Sequence, residues 1–273
     1  MPATIDIEQD DIGLRRAFRI GCAGWSIPKG HAERFPAAGS HLERYAAVFD
    51  AVEINSSFYR PHRTSTYARW AASVPSTFRF AVKLPRAITH ERRLVDSGER
   101  LDAFFAEVAG LASKLGCVLV QLPPSLRFDE RIARAFLAAL RERHGGPVAL
   151  EPRHATWFDA SAETLLQRHA IARVAADPAR VPAAAAPGGD RSVAYFRLHG
   201  SPRMYYSDYD DERLRTYAGR LQHAAAAGAE VWCIFDNTAL GAATGNAWAM
   251  RALATNEADR RKGISRVDAA GSV

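Results

Sequence analysis

Short runs of apolar, β-branched and aromatic residues recur along the chain, separated by longer amphipathic stretches. The runs are Phe18–Cys22, Ala51–Ile54, Phe78–Val82, Cys117–Gln121, Val148–Leu150, Ile171–Ala175, Val193–Leu198 and Val231–Phe235. Their length and the Gly, Pro, Asn or Asp residues that bound them suit buried strands better than helices. Between them, Leu42, Tyr45, Ala46 and Phe49 fall at i, i+3, i+4 and i+7, one face of a helix. Leu101, Phe104, Phe105, Val108, Leu111, Ala112 and Leu115 repeat that pattern before the fourth run. Ile132, Phe136, Leu137 and Leu140 repeat it before the fifth. Gly116 and Gly145–Gly146 stand where helices should stop, and Asp129 and Ser161 where two should be capped.

Strand–helix alternation implies parallel pairing through right-handed crossovers. Eight candidate strands in 273 residues predict an α/β fold built as a single (β/α)8 TIM barrel, a fold of about 250 residues. The barrel is expected over residues 18–255, between an N-terminal extension at 1–17 and a flexible C-terminal tail at 256–273. An open nucleotide-binding sheet loses its main support. GCAGWS follows the first run where G-x-G-x-x-G would be needed, and there is no P-loop sequence. Pro182–Asp190 reads as a mobile, small-residue surface loop.

Composition changes this picture little. The three cysteines, Cys22, Cys117 and Cys233, lie in apolar runs without a CxxC pair, so no disulfide framework is implied. The opening MPATIDIEQDDIGLRR is acidic and lacks the apolar core of a signal peptide. No stretch of about 18 apolar residues suits a membrane, so the expected location is cytoplasmic, with no membrane partner. No protein partner is implied either. A net charge of +6 admits an anionic small molecule or a nucleic acid and requires neither.

Candidate chemistry comes from polar residues that end apolar strands, because barrel sites form at the strands' C-terminal face. Five carry the acid, base and charge roles: Glu53, Lys83, Glu151, His199 and Asp236. Trp25, Asn55, Tyr59, Arg60, His90, Gln121, Arg153, Arg197, Tyr206 and Asn237 are the candidate substrate contacts. The plainer reading is that Glu53 pairs with Lys83, or Glu151 with Arg197, as a satisfied ion network.

The motifs GCAGW, VEINSSFYR, FAVKLPRAITH, VQLPPS, ALEPRH, YFRLHG and FDNT, in this order, resemble the YecE-like family, the seventy-second of the domains of unknown function. The resemblance covers roughly residues 18–255. It implies a TIM barrel and a site, without naming a reaction. On matching motif positions it carries over Glu53, Asn55, Tyr59, Lys83, His90, Gln121, Glu151, Arg153, Arg197, His199, Asp236 and Asn237. The seventh-strand loop departs, with Met204 where the family pattern leads one to expect an aromatic residue.

Three functions follow as expectations. The first is an enzyme of hydrolase, lyase or isomerase type acting on an anionic, phosphorylated or nucleotide-like substrate. A Schiff base on Lys83 is one form of this. The second is a nucleic-acid-binding or metal-dependent, repair-like nuclease, and the third a ligand-binding sensor or scaffold. No motif implies a cofactor. A divalent metal stays open only because ligands from separate strands leave no spacing to read.

Overall fold

The apolar runs become strands and the amphipathic stretches become helices. A computed structural model describes residues 18–254; the expected extension and tail lie outside the described residues. In chain order the elements are β1 (Phe18–Cys22), α1 (His41–Ala46), β2 (Ala51–Ile54), α2 (Thr64–Ala72), β3 (Arg79–Lys83) and α3 (Gly98–Val108). Then come β4 (Leu115–Gln121), α4 (Glu130–Arg143), β5 (Val148–Glu151), α5 (Ala160–Arg168), β6 (Ala172–Arg173) and β7 (Ala175–Asp177). The last are β8 (Gly188–Gly189), β9 (Val193–Leu198), α6 (Asp211–Ala226), β10 (Glu230–Phe235) and α7 at 242–254.

The strands pair in two ladders, β1-β10-β9-β7 and β2-β3-β4-β5-β6-β8, and only β6 and β8 run antiparallel. Between β1 and β2 the backbone contact is narrow: a bridge of Ala23 with Glu53 and a bond from Gly24 N to Glu53 O at 2.9 Å. A side chain supplements it. The buried Tyr45 hydroxyl accepts from Cys22 N at 2.8 Å and donates to Ala51 O at 3.1 Å. Gly21 makes this approach feasible, since a Cβ there would lie 1.9 Å from Ala51 O.

Strand alternation sorts the core into two clusters. One face of each strand packs with the helices, as Val52, Val82, Val120 and Leu150 do. The other face joins Ala51, Ala81, Leu119, Ala149, Tyr195, Trp232 and Ile234 in an inner cluster drawn from strands of both ladders. Glu53, Lys83, Gln121, Glu151, Arg197 and Asp236 each stand two residues beyond a member of this inner cluster, so the same periodicity aims them inward.

Several local expectations are corrected. The sixth run is two strands parted by Val174, whose N bonds Leu150 O while Ala175 pairs with Phe196. Gly116 does not stop a helix. It lies inside β4, because a Cβ there would meet the Trp232 ring at 2.7 Å. Ser161 is no cap: α5 begins at Ala160 behind Asp159, whereas Asp129 does cap α4, accepting from Ile132 N at 3.0 Å. Pro182–Asp190 is not all open loop. Gly188 and Gly189 are buried and pair with Ala172 and Arg173. Among the described residues, no helix is long and apolar enough to cross a membrane.

Candidate functional site

The polar residues that end β2, β3, β4 and β5, with Arg197 of β9 and Asp236 just past β10, gather at one end of the sheets, where Arg197 is the hub. Arg173, at the end of β6, pairs with Glu163 instead. Its side chain is 0% exposed. Nε donates to Glu53 Oε2 at 2.9 Å and Nη2 to Glu53 Oε1 at 2.7 Å. Nη1 donates to Glu151 Oε2 at 3.0 Å, and Nη2 lies 3.0 Å from Asp236 Oδ2. One planar fork thus ties β2, β5, β9 and the end of β10, a geometry that guanidinium meets and ammonium does not. The expected pair of Glu151 with Arg197 is present, while Glu53 takes Arg197 as its ion-pair partner.

His199 bridges two of the same carboxylates. Nδ1 lies 3.0 Å from Asp236 Oδ2 and Nε2 lies 3.0 Å from Glu151 Oε1. Burial opposes a charged ring, but Glu151 and then Asp236 more than offset it and raise the imidazole above its ordinary value. As an imidazolium it donates from both nitrogens. Burial would likewise push Glu151 up, yet Arg197 and His199 hold it well below the usual carboxylate range. Asp236 is lowered against burial by Arg197 first and His199 next.

Lys83 differs from these saturated groups. It is 6% exposed, and among the described residues the contact its Nζ makes is with an aromatic ring and not with a carboxylate. The ammonium stands over the Phe58 ring, 4.1 Å from its centroid. Burial first and Arg197 second lower the amine to about 8, opposed by Glu53, Asp236 and Glu151. His90 touches the same Phe58 ring edge-on at 4.9 Å, and its Nδ1 is 2.8 Å from Thr89 Oγ1. Burial, then Lys83 and Arg153, push His90 down to about 4, so the ring is neutral at neutral pH. Arg153 donates from Nε to Glu151 Oε1 at 3.2 Å, while its buried Nη2, 3.1 Å from that oxygen, lacks hydrogen-bond geometry.

The other expected residues take varied places. Gln121 is buried beside Glu151 in the β4–β5 register. Asn55 is half-buried, and its Oδ1 has no hydrogen-bond partner among the described residues. Trp25 packs edge-on against Trp70 at 5.0 Å. Asn237 is fully buried and braces a loop, donating from Nδ2 to Ser207 O at 2.9 Å and Asn246 Oδ1 at 2.8 Å. Tyr206 lies under Arg203 at the surface, 4.0 Å from ring centroid to guanidinium carbon. Tyr59, 72% exposed, and Arg60 line a cleft of about 350 Å³ with Phe58, Arg86, Arg100 and Phe104. A larger groove of about 690 Å³, between the 182–191 segment and α6, holds none of the expected residues.

One side chain, Tyr195, escaped the strand-end reading, and two loop aromatics, Phe58 and Tyr205, also stand at the site. Tyr195 donates its hydroxyl to Glu53 Oε2 at 2.9 Å. It stands two residues before Arg197, so strand alternation already placed it on the inward face. Phe58 supports Lys83 and His90, and Tyr205 meets the His199 ring at 5.7 Å. Among the described residues no group of three or more His, Cys, Asp or Glu side chains is arranged to hold a metal ion.

A family model described as Protein of unknown function DUF72 matches residues 19–268. The chain belongs to the DUF72 family. Two curated relatives match parts of the chain. UPF0759 protein YunF of Bacillus subtilis (strain 168) is 33% identical over 150 residues, 51% of this chain and 51% of YunF. UPF0759 protein YecE of Escherichia coli (strain K12) is 31% identical over 104 residues, 38% of this chain and 37% of YecE. These matches therefore span about half of YunF and little more than a third of YecE. The resemblance to YecE-like proteins drawn from the motifs holds. A crystal structure of a DUF72 family protein from Enterococcus faecalis V583 superposes with a TM-score of 0.73 at 22% identity, covering 87% of this chain and 95% of that one. One from Thermotoga maritima MSB8 gives 0.72 at 24% identity, covering 86% and 98%. Both likenesses concern the DUF72 fold.

Proposed function

We propose that the strands close into a (β/α)8 barrel and that its C-terminal end is an enzyme site for a small anionic molecule. Closure is supported by the inner cluster shared between the ladders and by the Tyr45 hydroxyl joining β1 to β2. It is also supported by Val174, at which one strand position passes from β5 to β9.

The observation that carries the functional reading is the Lys83 amine, buried at a strand end and set against a ring while every other cation there faces a carboxylate. An ammonium this shielded, held over an aromatic ring with no carboxylate at ion-pair distance among the described residues, gains from an arriving anion. Arg153 Nη2, close to Glu151 but making no hydrogen bond to it, supports a second contact to the same anion. Arg197, saturated by carboxylates, is in this reading a positioning residue that fixes Glu53, Glu151 and Asp236. Glu151, held well below the usual range, is a weak base and acts through its charge on His199 and Arg153.

Titration with inorganic phosphate and with small carboxylates while following thermal unfolding tests this. A rise in unfolding temperature is expected for the wild-type protein and a much smaller one for Lys83→Met, which removes charge from a group with no carboxylate at ion-pair distance. No rise in the wild type with any of these anions would overturn the reading.

A further inference from the structure

We propose that Lys83 captures the carbonyl carbon of a small anionic aldehyde or ketone, with His90 relaying the protons that its amine gives up. This names the substrate class for the anion site proposed above and rests on that reading.

Two groups of complementary chemistry meet on one ring. The Lys83 ammonium stands over the Phe58 face at 4.1 Å and the His90 imidazole meets the same ring at 4.9 Å. Backbone anchoring keeps the pair in place. Ser57 Oγ contacts Lys83 O at 2.7 Å and Ile54 O at 3.0 Å, fixing the ends of β3 and β2 to the segment that carries Phe58. An amine at this position has no carboxylate at ion-pair distance, and Glu53, Asp236 and Glu151 act on it only from farther away. With its value lowered to about 8, roughly a tenth of it is neutral one unit below. The His90 imidazole on the same ring, lowered to about 4, is neutral and a weak base, so it relays the proton onward and does not keep it. Both conditions favour attack on an electrophilic carbon over simple ion pairing.

The step balances without an oxidant or reductant. The Nζ lone pair forms the C–N bond as the carbonyl π electrons move to oxygen. Nitrogen sheds two protons in turn, one from the ammonium before attack and one after the C–N bond has formed. Each passes through His90 to that oxygen, which leaves as water when the C–O bond breaks. The resulting iminium carries one positive charge, as the original ammonium did, and faces Glu53, Asp236 and Glu151, the carboxylates that oppose the lowering of Lys83. An iminium withdraws electrons from the neighbouring carbon, the requirement for breaking a C–H or C–C bond there. That chemistry belongs to lyases and isomerases.

The chain has four lysines, Lys29, Lys83, Lys114 and Lys262, so a trapping experiment has few competing amines. Lys114 donates to the carbonyls of Ala71 and Val74, and Lys29 is exposed. The full chain is incubated with pyruvate or with glyceraldehyde 3-phosphate, reduced with borohydride and mapped by peptide mass spectrometry. The expected result is one covalent adduct on Lys83, absent in Lys83→Met and Lys83→Arg. In His90→Asn it should form roughly a hundredfold more slowly. Adducts spread evenly over the lysines, or none at all, overturn carbonyl capture. If phosphate then still raises the unfolding temperature, the anion site stands without it; if phosphate does nothing either, both readings fall.

Discussion

Arg197 and Glu53 form a two-point ion pair, at 2.9 and 2.7 Å, across 144 residues of sequence and between strands of two different ladders. The same guanidinium reaches Glu151 and Asp236, so the inner ends of four strands converge on one cation. Removing such ions from water costs several kcal/mol each, and only saturated, well-aligned contacts offset that. The pair therefore stabilises an arrangement that is expensive to leave half made.

Arg197→Met should accordingly cost about 3–5 kcal/mol, because it strands three carboxylates around an apolar side chain. Arg197→Lys should recover only part, since an ammonium cannot span Glu53 at two points and reach Glu151 as well. Urea unfolding of both variants measures this. A loss below about 1 kcal/mol for Arg197→Met would show that the network is not a structural hub.

The network should also make stability depend on pH from both sides. His199 is raised in the folded state, so its contribution is full below its unfolded value of about 6.5 and is lost as pH rises through the folded value. Glu151 and Asp236 are lowered, so theirs is present above about 4 and is lost as pH falls through their folded values. His199→Gln should lack the alkaline decline. The stability gap between wild type and this variant is expected to narrow as pH rises from 6 to 9, and a gap constant across that window would contradict the assignment.

Tyr45→Phe tests the narrow seam between β1 and β2. The hydroxyl takes the Cys22 N–H and gives its own proton to Ala51 O. Deleting it leaves a buried donor and a buried acceptor unpaired, at about 1–3 kcal/mol each. Denaturant unfolding should show the loss, and hydrogen exchange should show the Cys22 amide losing protection more than Ile20. Uniform loss of protection over both residues would mean that the seam does not depend on this hydroxyl.

Strand alternation made much of this legible. Periodicity of two fixes Glu53, Lys83, Glu151, Arg197 and Asp236 on one face once the apolar strands are known. It does not say which cation meets which carboxylate, because partners on separate strands leave no spacing. Hence Glu53 was expected to pair with Lys83 and instead pairs with Arg197. Tyr59 and Tyr206 read alike as contacts in the sequence, and in the fold one lines a cleft that also includes Phe58 while the other packs under Arg203. Loop direction, which decides such cases, is set by tertiary packing. Gly116 misled for a related reason, since only the ring that crosses it explains the missing side chain.

That ring supplies a last test, which links the inner cluster to the site. A Cβ on Gly116 would lie 2.7 Å from Trp232 Cζ2 and 2.9 Å from Arg79 Cβ, so one neighbour must shift. Trp232 stacks on Tyr195, ring centroids 5.8 Å apart at 7°, and the Tyr195 hydroxyl holds Glu53. Gly116→Ala should therefore cost about 1–3 kcal/mol by overpacking and also weaken the anion-induced rise in unfolding temperature. In Trp232→Leu the ring clash is gone and the approach to Arg79 Cβ remains, so adding Gly116→Ala there should cost less, a coupling of about 0.5–3 kcal/mol. Additive losses in the double variant would break the proposed line from Gly116 through Trp232 and Tyr195 to Glu53.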